Sequence, residues 1–177
     1  MTHMKAVAVT PGVAQSARIV EAPIPAPAAD QVRVKVIRVG IDGTDAEIDR
    51  AEYGEAPPGE EYLIIGHESF GQVESIGADA TGFSPGDYVV AMVRRPDDCN
   101  HCSAGEADMC ITGNYTERGI KGRHGFLSEY YVELPEYLIK IPSALKEVGV
   151  MLEPLTVVEK GIRHAWAVQA VDRKYPS

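Results

Sequence analysis

Apolar and charged residues alternate over residues 31–41. Val32, Val34 and Val36 fall on one face, Arg33 and Lys35 on the other. A period of two predicts a strand with one buried side. Residues 4–9 read the same way. Residues 63–76 read as a strand, a break at Gly66 and a second strand. Residues 83–87 form a Pro-Gly turn that feeds a strand over 88–93, and 126–134 and 137–141 read as strands again. Pro23, Pro25 and Pro27 exclude a helix over 21–27 and predict an extended connection. Residues 43–55 hold few strand formers and predict a short helix starting near Thr44. Residues 97–116 read as a polar loop. From Ala144 the pattern turns helical. Pro154 interrupts it and opens a new helix, in which Val158, Ile162, Ala165 and Trp166 form an apolar stripe. Many short strands followed by one helix define a mainly β fold class with a terminal helix, an irregular β-barrel.

A chain of 177 residues supports one domain with a core. A net charge of −9, from 26 acidic and 17 basic residues, argues against a nucleic-acid partner. No apolar run reaches the length of a membrane span and no signal-peptide pattern opens the chain, so no membrane partner and a cytoplasmic location are expected. Cysteine changes the picture more. Cys99, Cys102 and Cys110 crowd into the polar loop, and an odd cluster of 3 suits a metal better than a disulfide framework.

A second concentration of ligating residues lies at Gly66-His67-Glu68, where an imidazole and a carboxylate sit at a strand end. Taken alone, such a pair reads as surface. Two distant features change that: Asp42-Gly43-Thr44-Asp45 upstream and Glu153-Pro154 downstream.

Gly66-His67-Glu68 with the following Gly71, the upstream Gly43-Thr44-Asp45, Ser84-Pro85-Gly86-Asp87 and the cysteine cluster resemble the zinc-dependent medium-chain dehydrogenases, in the same order. Within them, Val39-Gly40-Ile41-Asp42, Arg94-Arg95-Pro96, Glu117-Arg118-Gly119-Ile120 and the 136–142 segment look most like archaeal-type glucose dehydrogenases. The resemblance implies a GroES-like barrel over 1–177, with the helix at about 154–177 leading toward a dinucleotide-binding domain. No Gly-x-Gly-x-x-Gly follows a strand here, and the chain stops about where that domain would begin. The expectation is therefore a catalytic half without its nucleotide domain, inactive alone. The apolar stripe of its last helix packs on that domain in the resembling enzymes, so homo-oligomerisation is expected here.

The resemblance also implies a catalytic zinc on Asp42, His67 and Glu153, with Glu68 as an alternating or water-bridged fourth ligand. Many relatives carry cysteine where Asp42 stands. An oxygen-rich set is harder and makes Mn²⁺ or Co²⁺ more competitive. Glu153 precedes Pro154, which should push it out of helical geometry and toward the barrel; the plainer reading is a carboxylate favoured at a helix N-terminus. Asp45 is expected to accept a hydrogen bond from the His67 ring. Thr44 either relays the substrate's proton or caps the following helix. The chemistry implied is oxidation of a sugar hydroxyl, as its alkoxide, by hydride transfer to NAD or NADP held by the other domain.

Cys99, Cys102 and Cys110 match three thiolates of the family's structural zinc lobe. The fourth position falls on Pro96, so Asp97 or Asp98 is expected to substitute, with His101 a weaker donor. Glu117 is either a sugar contact or a solvated loop carboxylate. His124 is expected to order its turn, and Arg94 and Arg95 to pair with carboxylates. The alternatives to an aldose dehydrogenase are the same fold acting on a polyol or simple alcohol, or a zinc-binding module without catalysis.

Overall fold

The computed structural model describes residues 3–172. The strands are β1 (His3–Val9), β2 (Arg18–Pro23), β3 (Val32–Gly40), β4 (Leu63–Ile64), β5 (Glu68–Ile76), β6 (Tyr88–Ala91), β7 (Arg94–Arg95), β8 (Thr116–Arg118), β9 (Gly122–Arg123), β10 (Tyr130–Glu133) and β11 (Leu138–Ile141). The helices are α1 (Gly43–Asp49), α2 (Asn100–Ser103) and α3 (Leu152–Asp172).

Five strands form the central sheet in the order β10-β3-β5-β6-β11, all neighbours antiparallel. Two smaller sheets flank it, β2-β1-β4 and β7-β8-β9. The segment before β10 stitches them together: Val7 N donates to Leu127 O at 2.8 Å, and Phe126 N to Gly66 O at 2.8 Å. The result is an irregular, mainly β barrel. Its core is what the alternation in β3 dictates, with Val32 and Val34 packed on Val73, Val89, Phe126 and Tyr131. Register shifts at Arg33/Val34 and Val36/Arg38 break that alternation, so Val36 is only half-buried and Ile37 is exposed.

A second cluster, Val9, Ile48, Leu63 and Ile65, docks α1 on β1 and β4. Ile48 is the buried apolar residue of α1. Through it, the short helix holds Asp42, Thr44 and Asp45 beside the end of β4.

Three expectations change. Residues 21–23 are not a connection: Glu21 and Ala22 pair with Lys5 and Met4 as the end of β2. The prolines act only from Pro23 onward, so the preceding residues are free to pair. The strand expected over 126–134 is regular only over Tyr130–Glu133. Pro154 does not interrupt a helix. Two 3₁₀ turns, Ser143–Leu145 and Gly149–Met151, precede α3, and Pro154 lies in its first turn, where amide donors have no intrahelical partner to lose. The expected continuation of this helix to residue 177 falls outside the described residues.

Candidate functional site

His67 follows Gly66, whose φ of +86° is open to glycine and strained for other residues. The crossing here is backbone on backbone. A Cβ on Gly119 would lie 2.4 Å from Gly66 O, and one on Gly125 2.3 Å from the same oxygen. These three glycines fix the chain immediately before His67. The ring is buried at 6% side-chain exposure. Its Nε2 lies 3.7 Å from Asp42 Oδ1 and its Nδ1 3.9 Å from Asp45 Oδ2.

Asp42 is the N-cap of α1. Its Oδ1 accepts from Thr44 N at 2.7 Å and its Oδ2 from the Thr44 hydroxyl at 3.3 Å. Thr44 is therefore not the cap; its hydroxyl is turned back onto Asp42. Asp45 completes a capping box by accepting from Asp42 N at 3.2 Å, and its other oxygen accepts from Gly66 N at 3.0 Å. The hydrogen bond expected from the His67 ring to Asp45 is not formed. Both Asp45 oxygens are drawn to backbone amides, and Nδ1 of the buried ring has no partner.

Glu68 begins β5 opposite Gly40. A Cβ at Gly40 would sit 1.7 Å from Glu68 Oε2, so this glycine makes room for the carboxylate. Glu153 reaches the same place from the first turn of α3, inside the helix rather than displaced from it. The residue before a proline is disfavoured in helical geometry, but in a first turn that preference is overridden by the packing of the helix start.

The ligating atoms form two groups that share the imidazole. Asp42, Asp45 and His67 come within 4.8 Å of one another, and so do His67, Glu68 and Glu153. The expected set is thus divided around one ring. Burial pushes the Glu153 carboxyl up from its ordinary value, reinforced by Glu68, Asp42 and Glu117. Glu68 and Asp45 are raised by burial too, each also by Asp42. Carboxylates gathered at one imidazole with raised proton affinity need a cation to be stable as anions. One imidazole with several carboxylate oxygens and an orphaned ring nitrogen fits a divalent ion such as zinc.

In the cysteine loop Asp97 lies with the three thiols. Its carboxylate and the thiols of Cys99, Cys102 and Cys110 lie within 4.8 Å of one another. Cys110 Sγ is 3.2 Å from Asp97 Oδ2 and 3.9 Å from Cys99 Sγ. Desolvation and the neighbouring acceptors push Cys102 up to about 12, while the Thr112 hydroxyl and the Cys99 amide hold Asp97 well below its usual range. His101 turns away to Glu106 at 3.3 Å. Three thiols and a carboxylate suit a closed tetrahedral zinc site. Thr112 escapes sequence reasoning: it contacts both Cys110 and Asp97, but Thr-Gly after a cysteine reads only as a turn.

The remaining candidates are placed as follows. Arg94 donates from Nε and Nη2 to Glu117 Oε1, at 2.9 and 2.8 Å. Arg95 and Arg118 both pair with buried Glu133. His124 orders its loop: Nδ1 accepts from Ile64 N at 3.2 Å, Nε2 meets Glu60 at 2.8 Å, and the ring stacks on Tyr62.

The chain belongs to the family described as alcohol dehydrogenase GroES-like domain, which matches residues 28–143. Among relatives, it is 50% identical over 168 residues to glucose 1-dehydrogenase of Methanocella arvoryzae, covering 94% of this chain and 47% of that protein. It is 46% identical over 159 residues to glucose 1-dehydrogenase of Thermoproteus tenax, covering 90% and 45%. Among solved structures, glucose dehydrogenase of Haloferax mediterranei in complex with NADP, Zn and gluconolactone superposes with a TM-score of 0.83 at 38% identity, covering 93% of this chain and 46% of that one. Galactitol-1-phosphate dehydrogenase of Escherichia coli gives 0.71 at 28% identity, covering 87% and 43%. The chain spans about half the length of the curated relatives it matches.

Proposed function

We propose that this chain is the GroES-like catalytic portion of a zinc-dependent, NAD(P)-linked dehydrogenase that oxidises an aldose such as glucose. One observation carries the reading: the buried His67 ring lies between two groups of carboxylates delivered by three different elements, α1, β5 and α3. The glucose 1-dehydrogenases that share half of these residues support the substrate class. On this reading residues 1–177 form one domain, and its last helix leads toward the part of the enzyme that holds the nicotinamide.

Asp42, His67 and Glu153 would hold the zinc, with Glu68 as the fourth donor, and Cys99, Cys102, Cys110 and Asp97 would hold a structural zinc. When bound at His67, the ion supplies the Lewis acidity that makes a sugar hydroxyl easier to deprotonate. The Thr44 hydroxyl, 3.3 Å from Asp42 Oδ2, would pass that proton outward. Glu117 is oriented by Arg94 through Oε1 alone, which leaves Oε2 to accept from a sugar hydroxyl. Asp45 fixes the Gly66 backbone and the α1 start, which sets the direction of His67.

The test is an assay of the zinc-loaded enzyme that contains this domain, with glucose, galactitol 1-phosphate and ethanol, using each nicotinamide. The highest kcat/KM on glucose supports the reading, and the absence of sugar turnover with zinc bound sinks it. The likeness to galactitol-1-phosphate dehydrogenase favours a polyol as the second reading. Leu155, Val158, Ile162 and Trp166 are exposed along α3, which supports self-association, to be checked by sedimentation. No helix among the described residues is long and apolar enough to cross a membrane.

A further inference from the structure

Helix α3 delivers Glu153 to the His67 site and then runs along the outside of the protein. From Leu155 to the last described side chain at residue 170, Lys160 alone is not exposed. It meets the cysteine lobe there. Lys160 Nζ lies 3.4 Å from Oδ2 of Asp108, in the 3₁₀ turn Ala107–Met109, and His164 Nε2 lies 4.0 Å from the same oxygen. Lys160 follows Glu153 by seven residues, about two turns, and His164 follows after one more. The three therefore share one face of the helix. That face carries a candidate metal ligand at its start and meets the Asp108 carboxylate of the lobe further along.

The same turn reaches the site by a second route. Ala107 O accepts from Arg94 Nη1 at 3.0 Å. Arg94 in turn holds Glu117, and Glu117 is near enough to Glu153 for the two charges to repel. One short turn of the lobe thus touches both the helix that bears Glu153 and the arginine that restrains its acidic neighbour. The turn itself sits between Cys102 and Cys110, so its position depends on how the lobe is closed.

We propose that Asp108 is a positioning residue: by holding Lys160, the cysteine lobe sets the seat of α3 and so the aim of Glu153, and filling the lobe tightens metal binding at His67. The proposal rests on reading both clusters as metal sites. Coupling of this kind is reciprocal, so filling the His67 site also favours the closed lobe. An ion pair this exposed changes an equilibrium constant by a factor of about two to five and weakens with salt. The lobe is then a modest regulator of affinity rather than an all-or-none switch.

Cobalt(II) titration of the metal-free protein tests this, because the two sites absorb differently. Thiolate ligands give near-ultraviolet charge transfer together with d–d bands toward the red, whereas oxygen and imidazole ligands add only weaker visible bands at shorter wavelength, and the growth of these after the ultraviolet bands have saturated reports His67. In Asp108→Asn the lobe should fill as before, while cobalt affinity read from the visible bands falls by about two- to fivefold. Asp108→Lys should weaken it further by setting like charges together. The charge-swapped double variant Asp108→Lys/Lys160→Asp should recover most of the loss, and high salt should shrink the difference in every case. Unchanged visible-band affinity in both single variants, with normal filling of the lobe, overturns the proposal. If the unmodified protein fills the lobe and gains no further visible absorption beyond it, the metal reading of His67 falls, and the proposal falls with it. If a single variant loses the fold, the salt dependence of the unmodified protein still decides: affinity at His67 that ignores salt while the lobe is full contradicts an ion-pair clamp.

Discussion

Asp42 has two tasks that pull in different directions. As the N-cap of α1 it needs a hydrogen-bond acceptor, and as a candidate ligand it offers hard oxygen. Asp42→Cys should therefore separate them. Preference for zinc over Mn²⁺ should rise, because a thiolate is softer, while the metal-free protein should lose about 1 kcal/mol with its cap. Competition dialysis reads the first and denaturant melting the second; a cysteine variant with unchanged metal preference would make Asp42 a bystander. Proton linkage adds a second expectation. The carboxyls of Glu153, Glu68 and Asp45 are raised by burial, so the folded metal-free protein binds protons that the unfolded chain does not yet bind. Their penalty is full where they are ionised and is relieved as pH falls through the raised values, so the melting temperature of chelated protein should climb as pH falls from neutral toward the ordinary carboxylate range. Asp97, Glu74, Asp87 and Glu147, all lowered, oppose this only below the ordinary carboxylate range. Zinc should reverse the trend, because it requires those carboxyls ionised. A melting temperature that falls steadily in chelator from pH 7 would contradict the charge crowding. The candidate ligands were easy to single out, because His67, Glu68, Asp42 and the cysteines stand in short motifs. That His67 Nδ1 is left without a partner was not legible, because Asp45's hydrogen bonds depend on how the α1 cap meets Gly66, which no spacing encodes.

At the scale of elements, the site depends on a crossing of glycines that only the fold reveals. Gly66, Gly119 and Gly125 come from two distant loops, and a Cβ on Gly125 would lie 2.3 Å from Gly66 O and 2.6 Å from Ile65 O. These are backbone atoms that cannot swing aside. Gly125→Ala should cost about 2 kcal/mol or more, in the range of overpacked cores, and should loosen metal binding at His67, two residues from Ile65. Thermal melting and equilibrium dialysis test the two effects, and wild-type stability with wild-type metal content would remove the crossing from the explanation. The strands with clean alternation, β1 and β3, were readable because one face of each is buried. Pairing of residues 18–22 with β1 was missed, because three nearby prolines dominate the local pattern and edge pairing is a tertiary event. The start of α3 was misread for a related reason: Pro154 signals a break in sequence, yet its missing donor is harmless within a first turn.

At the scale of the whole molecule, the architecture bears on where the nicotinamide goes. A dinucleotide cradle needs a parallel βαβ unit, with a glycine-rich turn leading into a helix whose N-terminal amides face the pyrophosphate. The described strands pair antiparallel except for the short β8/β9 ladder, and no helix joins those two. The long helix α3 opens at Leu152, and its first turn carries Glu153 beside Glu68. Two carboxylates at that end repel a phosphate rather than receive it. On the proposed function, hydride transfer needs the nicotinamide in near-attack geometry over the substrate carbon, and the described residues offer no cradle of this kind to hold it there. The 177-residue chain should therefore bind zinc yet give no micromolar binding of NAD or NADP in isothermal titration, with or without glucose present. Adding zinc should not change this, since the ion site and the missing phosphate site are separate requirements. Micromolar affinity for either dinucleotide would mean that a cradle of another kind exists on this barrel, and the division of labour between ion and cofactor would have to be redrawn.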